Sequence, residues 1–99
     1  MKSIGEILRE QRESKQLLLR EVAAAMEMDT ALLSKIERNE RKPSKEQVLT
    51  FAKYYKVNED DLLVAWLSDK LASEALNEDV ALKAMKVAEE KVKYHKRKR

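Results

Sequence analysis

The stretch LREVAAAMEMDTALLSKIER, residues 19–38, reads as two short helices and the turn between them. Val22, Ala23 and Met26 recur on one face of the first helix, expected over about Leu19 to Met26. Asp29 stands where it can cap a second helix, about Thr30 to Arg38, whose apolar face is Leu32 or Leu33 together with Ile36. The opposite face carries Thr30, Ser34, Lys35 and Arg38. Ala23 is small and sits where the two helices would cross, while Met28, Leu33 and Ile36 would pack the second helix onto the first.

On the N-terminal side, Ser3 with Glu6 has the spacing of a capping box, and Ile4, Ile7, Leu8 and Gln11 follow at helical intervals until Leu17 and Leu18 end the element. On the C-terminal side comes Asn39-Glu40-Arg41-Lys42-Pro43-Ser44, where proline halts a helix and Ser44 with Gln47 starts the next. That fourth helix is expected over about Lys45 to Tyr55, burying Val48, Leu49, Ala52 and Tyr55. Asn58 caps a fifth helix, whose opening Glu59, Asp60 and Asp61 suit the macrodipole and whose stripe is Leu62, Leu63, Trp66, Leu67 and Leu71. Asn77 is expected to cap a sixth, from about Glu78 to Lys93, with Leu82, Met85, Ala88 and Val92 on one face. Residues 94–99 have no apolar periodicity and are expected to fray. No repeat or linker interrupts the chain, so one all-α domain with a helical extension is expected.

Ninety-nine residues allow one modest core. The absence of cysteine excludes disulfides and thiolate metal sites, and a single histidine, His95, leaves almost nothing for zinc chemistry or a histidine-based triad, so no metal or cofactor is expected. The single glycine, Gly5, excludes a glycine-rich phosphate loop. Carboxylates are numerous, but helix faces account for them, and no nucleophile–base set is visible, so an enzyme is not expected. No apolar run approaches the roughly 18 residues of a membrane span. Neither a membrane nor a small-molecule partner is expected, and the cytoplasm is the default location. The net charge of +3 hides a pattern: residues 1–29 carry −1, residues 30–56 carry +4, residues 57–82 carry −6 and residues 83–99 carry +6. A basic centre beside an acidic third quarter fits one face turned to a polyanion, or a well-mixed solvated surface.

Two short helices with a turn of about three or four residues have the spacing of a helix-turn-helix, and the same spacing occurs in ordinary helical bundles. Around this core, residues 4–63 resemble the Cro/C1-type (XRE) family of helix-turn-helix regulators. The likeness runs through IGEILREQRESKQL, LREVAAAM, LLSKIERNERKPS and AKYYKVNEDDLL. It implies a five-helix Cro/C1-like (lambda-repressor-like) domain over residues 1–66, with residues 67–99 as a helical extension ending in a basic tail. It also implies sequence-specific binding to double-stranded DNA as a two-fold dimer, in a regulator such as a repressor. Small stand-alone members include controllers of restriction-modification genes and antitoxins that repress their own operons. Carried over by position, the base-reading residues would be Thr30, Ala31, Ser34 and Lys35. The phosphate-binding residues would be Arg38, Asn39, Arg41 and Lys42, and Arg12 with Glu37 would form a structural ion pair.

The sequence departs from the family in two ways. Glycines common after helix 1, in the central turn, after helix 3 and after helix 4 are replaced by Gln16, Glu27, Asn39 and Lys56. Asparagine tolerates a left-handed backbone; each of the others would cost about 1 kcal/mol or more if φ is positive. The polar pair that usually opens helix 2 is Leu18-Leu19, leaving Arg20 and backbone amides to meet phosphate, while Asp29 repels phosphate unless it is occupied in capping.

The extension holds too many apolar groups for a free tail: either they fold back on the domain or they pair with a second subunit. A homodimer is expected, with Trp66, Leu67, Leu71 and Met85 in the interface. The competing reading is a protein-interaction module that keeps the fold without specific DNA binding. Leu18-Leu19 and Ala31 favour it, and the basic loop Arg38–Lys42 speaks against it.

Overall fold

The computed structural model describes residues 1–98. Among them there are six helices and no strand: α1 (Ile4–Ser14), α2 (Leu19–Ala25), α3 (Thr30–Glu37), α4 (Lys45–Tyr55), α5 (Glu59–Ala75) and α6 (Ala81–Arg97). Local chemistry sets most of the helix starts. Ser3 Oγ accepts from Glu6 N at 3.2 Å, Asp29 accepts from Ala31 N at 3.1 Å, and Asn58 Oδ1 accepts from Asp61 N at 2.9 Å. Ser44 and Gln47 form the full reciprocal box expected of them. Ser3 supplies only its own half of the expected box. Leu18, with no side-chain acceptor, supports α2 by the other half: its N–H donates to Glu21 Oε1 at 3.0 Å.

One core joins the first five helices. Ile4 and Leu8, Val22 and Ala23, Leu33 and Ile36, Val48, Phe51, Ala52 and Tyr55, and Leu62 are all buried together. Leu33 rather than Leu32 is the buried member of α3, and Leu49 is only half-buried because Phe51 takes the inward position on α4. Helix α5 packs on α4 and α1 and runs unbroken through residues 66 and 67. Two hydrogen bonds fasten it: Asp69 Oδ2 accepts from Ile4 N at 2.8 Å, and Trp66 Nε1–H donates to Pro43 O at 2.8 Å.

All four positions where the family prefers glycine adopt a left-handed backbone here: Gln16, Glu27 and Lys56 at φ 56° and Asn39 at 63°. Each closes a helix in the same way. The residue that follows donates its N–H five residues back: Leu17 to Arg12 O, Met28 to Ala23 O, Glu40 to Lys35 O and Val57 to Ala52 O, at 2.9–3.0 Å. Leu17, Met28 and Val57 then pack against the core. That anchoring holds the turn despite the conformational cost of a side chain with positive φ.

The end of the chain differs from expectation. Asn77 does not cap α6; Val80 occupies that place without a side-chain hydrogen bond. Glu78 N bonds to Ala75 O and Ala81 N to Glu78 O, so residues 76–80 are consumed in reversing the chain before a helix can begin. Residues 94–97, expected to fray, continue α6. Their straight-chain lysine and arginine side chains are good helix formers, and cations suit a helix C-terminus. Lys98 Nζ also lies 5.1 Å from the centre of the Tyr94 ring. Arg99, the last residue of the expected basic tail, lies outside the described residues. No residue of α6 is buried. The radius of gyration, 15.7 Å, exceeds the roughly 13 Å of a compact chain this long, as an appended helix requires.

Candidate nucleic-acid interface

Helix α3 presents two unlike faces. Leu33, Ile36 and Glu37 are buried, which fixes the rotation of the helix. Thr30, Ala31 and Lys35 are then left exposed, with Ser34 half-buried between them. These four, expected from the resemblance to read bases, share one helical face. Asp29, a possible source of repulsion toward phosphate, has one carboxylate oxygen engaged with Ala31 N.

The loop after α3 begins as a continuation of the helix end. Lys35 O accepts from both Glu40 N at 2.9 Å and Arg41 N at 3.3 Å, so Asn39 turns the chain sharply. Arg41 and Lys42 are exposed and, among the described residues, have no carboxylate partner. Arg38 is engaged on its own side, with Ser34 O at 3.3 Å and Glu40 Oε2 at 3.3 Å. Asn39 is turned toward α1: a Cβ on Gly5 would lie 2.5 Å from Asn39 Oδ1, 2.9 Å from Glu37 O, and against Ile36 O. The single glycine of the chain therefore allows α1 to touch the C-terminal end of α3. Its isolation within a helical pattern was the available signal. Lys45, exposed at the first turn of α4, extends the basic run and was not singled out from the sequence.

Arg12 and Glu37 form the expected pair. Arg12 Nε donates to Glu37 Oε2 at 2.9 Å and Arg12 Nη2 to Glu37 Oε1 at 3.0 Å, a two-pronged geometry. Arg12 Nη1 also donates to Leu17 O at 3.0 Å, tying α1, the turn after it and the last residue of α3. The side chains are 13% and 4% exposed. The Glu37 hydrogen bond pushes the Arg12 guanidinium above its already high range. Nearby, the Tyr55 hydroxyl is buried with no hydrogen-bond partner among the described residues. Burial first, and then the Glu37 carboxylate, push its phenol above the ordinary tyrosine range.

The start of α2 is less suited to phosphate. Arg20 is exposed, but Leu18 is exposed beside it and the Glu21 carboxylate sits at the helix N-terminus. Of the residues expected at a dimer interface, Leu67, Leu71 and Met85 are 49%, 51% and 44% exposed. Trp66 instead packs partly against the core of its own chain.

Among the described residues, no helix is long and apolar enough to cross a membrane. No curated protein sequence matches the chain. Residues 8–62, more than half of it, match the model of the helix-turn-helix family, and this span covers α2, α3, the basic loop and the whole of α4. A two-helix unit with one face locked into the core and the other left polar is the unit by which this family of transcription regulators meets DNA. The chain belongs to the Cro/C1-type helix-turn-helix family.

Proposed function

We propose that the protein is a sequence-specific DNA-binding transcription regulator that binds a two-fold operator as a dimer and works in the cytoplasm. Residues 1–66 correspond to the five-helix Cro/C1-like domain, and residues 67–99 serve dimerisation. Helix α3 lies in the major groove with Thr30, Ala31, Ser34 and Lys35 toward base edges. Arg20, Arg38, Asn39, Arg41 and Lys42 lie along the phosphates and fix the register. The observation that carries this reading is the exposed polar face of α3 running directly into a loop whose Arg41 and Lys42 have no carboxylate partner among the described residues. An autorepressor, such as an antitoxin or a restriction-modification controller, fits the small size.

The dimer is supported by the distribution of apolar surface. Among the described residues, ten of the twelve exposed large hydrophobic side chains lie between Val64 and Tyr94. Leu71, Ala75, Val80, Ala84, Met85 and Ala88 line an open groove between α5 and α6. Patches of this kind mark interaction surfaces. Charge adds to it: α5 carries five carboxylates and one lysine, and α6 six Lys or Arg residues and two carboxylates.

Selection from random duplex DNA tests the reading. An enriched palindromic site is expected. Recovery of no preferred sequence would favour the alternative, a protein-interaction module, to which exposed Leu18 and the carboxylate of Glu21 at the start of α2 lend support.

A further inference from the structure

Residues 40–43 carry the exposed Arg41 and Lys42 between the end of α3 and the buried Pro43, which leads into the Ser44 cap of α4. Glu40 N and Arg41 N are tied back to Lys35 O of α3. Beyond that, a hollow of about 360 Å³ separates the loop from α5, bounded by Arg41, Lys42, Pro43, Asp69, Ala72 and Leu76. Across it runs one bond. The Trp66 indole N–H donates to Pro43 O at 2.8 Å. Among the described residues, this is the one hydrogen bond joining residues 40–43 to a part of the chain outside α3 and the loop itself. The indole is held in turn: it packs against the core, and Lys70 Nζ sits 4.4 Å over its ring. Helix α5 is fixed to α1 by Asp69.

We infer that Trp66 is a positioning residue for the phosphate-contacting loop, its indole N–H holding the end of residues 40–43 so that Arg41 and Lys42 meet the DNA backbone without first being ordered. The inference rests on the DNA-binding reading and assigns Trp66 a task inside one chain. Without that bond, the exposed stretch between the tie to Lys35 O and the capped start of α4 would have more conformational freedom to lose on binding. That loss falls equally on every duplex, because phosphate contacts carry no base information.

The test replaces Trp66 in the full chain by β-(3-benzothienyl)alanine, which keeps the fused ring and has sulfur where the N–H was. The chain holds a single tryptophan, so the replacement is unambiguous. Trp66→Phe serves as the genetically encoded counterpart. Binding is measured on duplexes of random sequence, in the unaltered background and in Arg41→Ala/Lys42→Ala. Loss of the N–H should weaken binding about three- to tenfold in the unaltered background, alike for all sequences. In the double-alanine background it should change binding by less than about twofold, because the residues it positions are gone. Backbone ¹⁵N relaxation without DNA should show added motion at residues 40–42. An equal loss in both backgrounds, or none in either, would reduce Trp66 to core packing and overturn the inference. So would a loss confined to particular base pairs. If the unaltered chain bound no duplex, the DNA reading would fall and this inference with it, and that control separates the two failures.

Discussion

Tyr55 is buried among Phe51, Tyr54 and Lys15, yet its hydroxyl has no hydrogen-bond partner among the described residues. An unsatisfied buried hydroxyl costs about 1–3 kcal/mol, so Tyr55→Phe should raise the urea midpoint by the equivalent of about 1 kcal/mol. The same residue gives a pH dependence. Its folded pKa lies above its unfolded value, so the stability linked to it is whole below pH 10 and is lost as pH climbs, when the unfolded chain ionises first. The Phe variant should show an alkaline decline shallower by up to about 1.4 kcal/mol per pH unit, read from urea titrations between pH 8 and roughly 11.5. Removing one member of the Arg12–Glu37 pair should instead destabilise the fold. Arg12→Met would leave a buried carboxylate unpaired and should cost about 3 kcal/mol, of which Arg12→Met/Glu37→Met should recover a large part. If the single and double variants unfold at the same denaturant concentration, the carboxylate is being solvated and the pair is not a buried one.

Helices and turns differ in how much of their structure local sequence chemistry specifies. The limits of α4 and the capping roles of Ser3, Asp29, Ser44 and Asn58 were legible because each cap is local chemistry. Phe51, three residues after Val48 and four before Tyr55, lies inside the buried stripe and Leu49 lies off it, so helical spacing already carries that ranking against the expectation of a buried Leu49. The start of α6 differs from the expected one because Asn77 has the chemistry of a cap but lies in the turns that precede Val80. Trp66 is legible as part of the apolar stripe of α5 and is expected at a dimer interface; its packing on its own core and its long-range bond to Pro43 leave no trace in the local pattern. The positive-φ turns lead to a prediction at this scale. Gln16→Gly, Glu27→Gly and Lys56→Gly should each stabilise by roughly 0.5–1 kcal/mol, since relief of the left-handed strain exceeds glycine's added chain entropy. Asn39→Gly should gain least, because asparagine tolerates this region. Thermal melts of the three single variants and their combination would reveal the sum, and a lower melting temperature for the combination would contradict it. Helix α3 and its loop are separable in the same way. Lys35→Ala should lose about 1–3 kcal/mol at one position of the binding site, and Arg41→Ala should weaken all duplexes alike, as binding to a panel of single-base variants would show.

Across the whole molecule, the core closes within residues 4–62, whereas the exposed apolar surface lies mostly beyond it. A chain ending at Asn77 keeps Trp66 and Asp69 with their bonds, and loses a helix with no buried residue. It should unfold with nearly the full chain's stability, within about 1 kcal/mol, yet sediment as a monomer at micromolar concentrations where the proposed function expects the full chain to be a dimer. An intact chain that sediments as a monomer of about 11.5 kDa would remove the dimer from the account. The lone tryptophan also gives the molecule an optical gauge. Its indole lies half-buried at the joint between α5 and the loop, with an ammonium group over the ring and a carbonyl at its N–H. Indole emission responds to all three surroundings, so the colour and lifetime of the native fluorescence record the state of that one joint. Titrated with DNA, the unlabelled protein would signal a disturbance beside Arg41 and Lys42, while circular dichroism followed the helices as a whole.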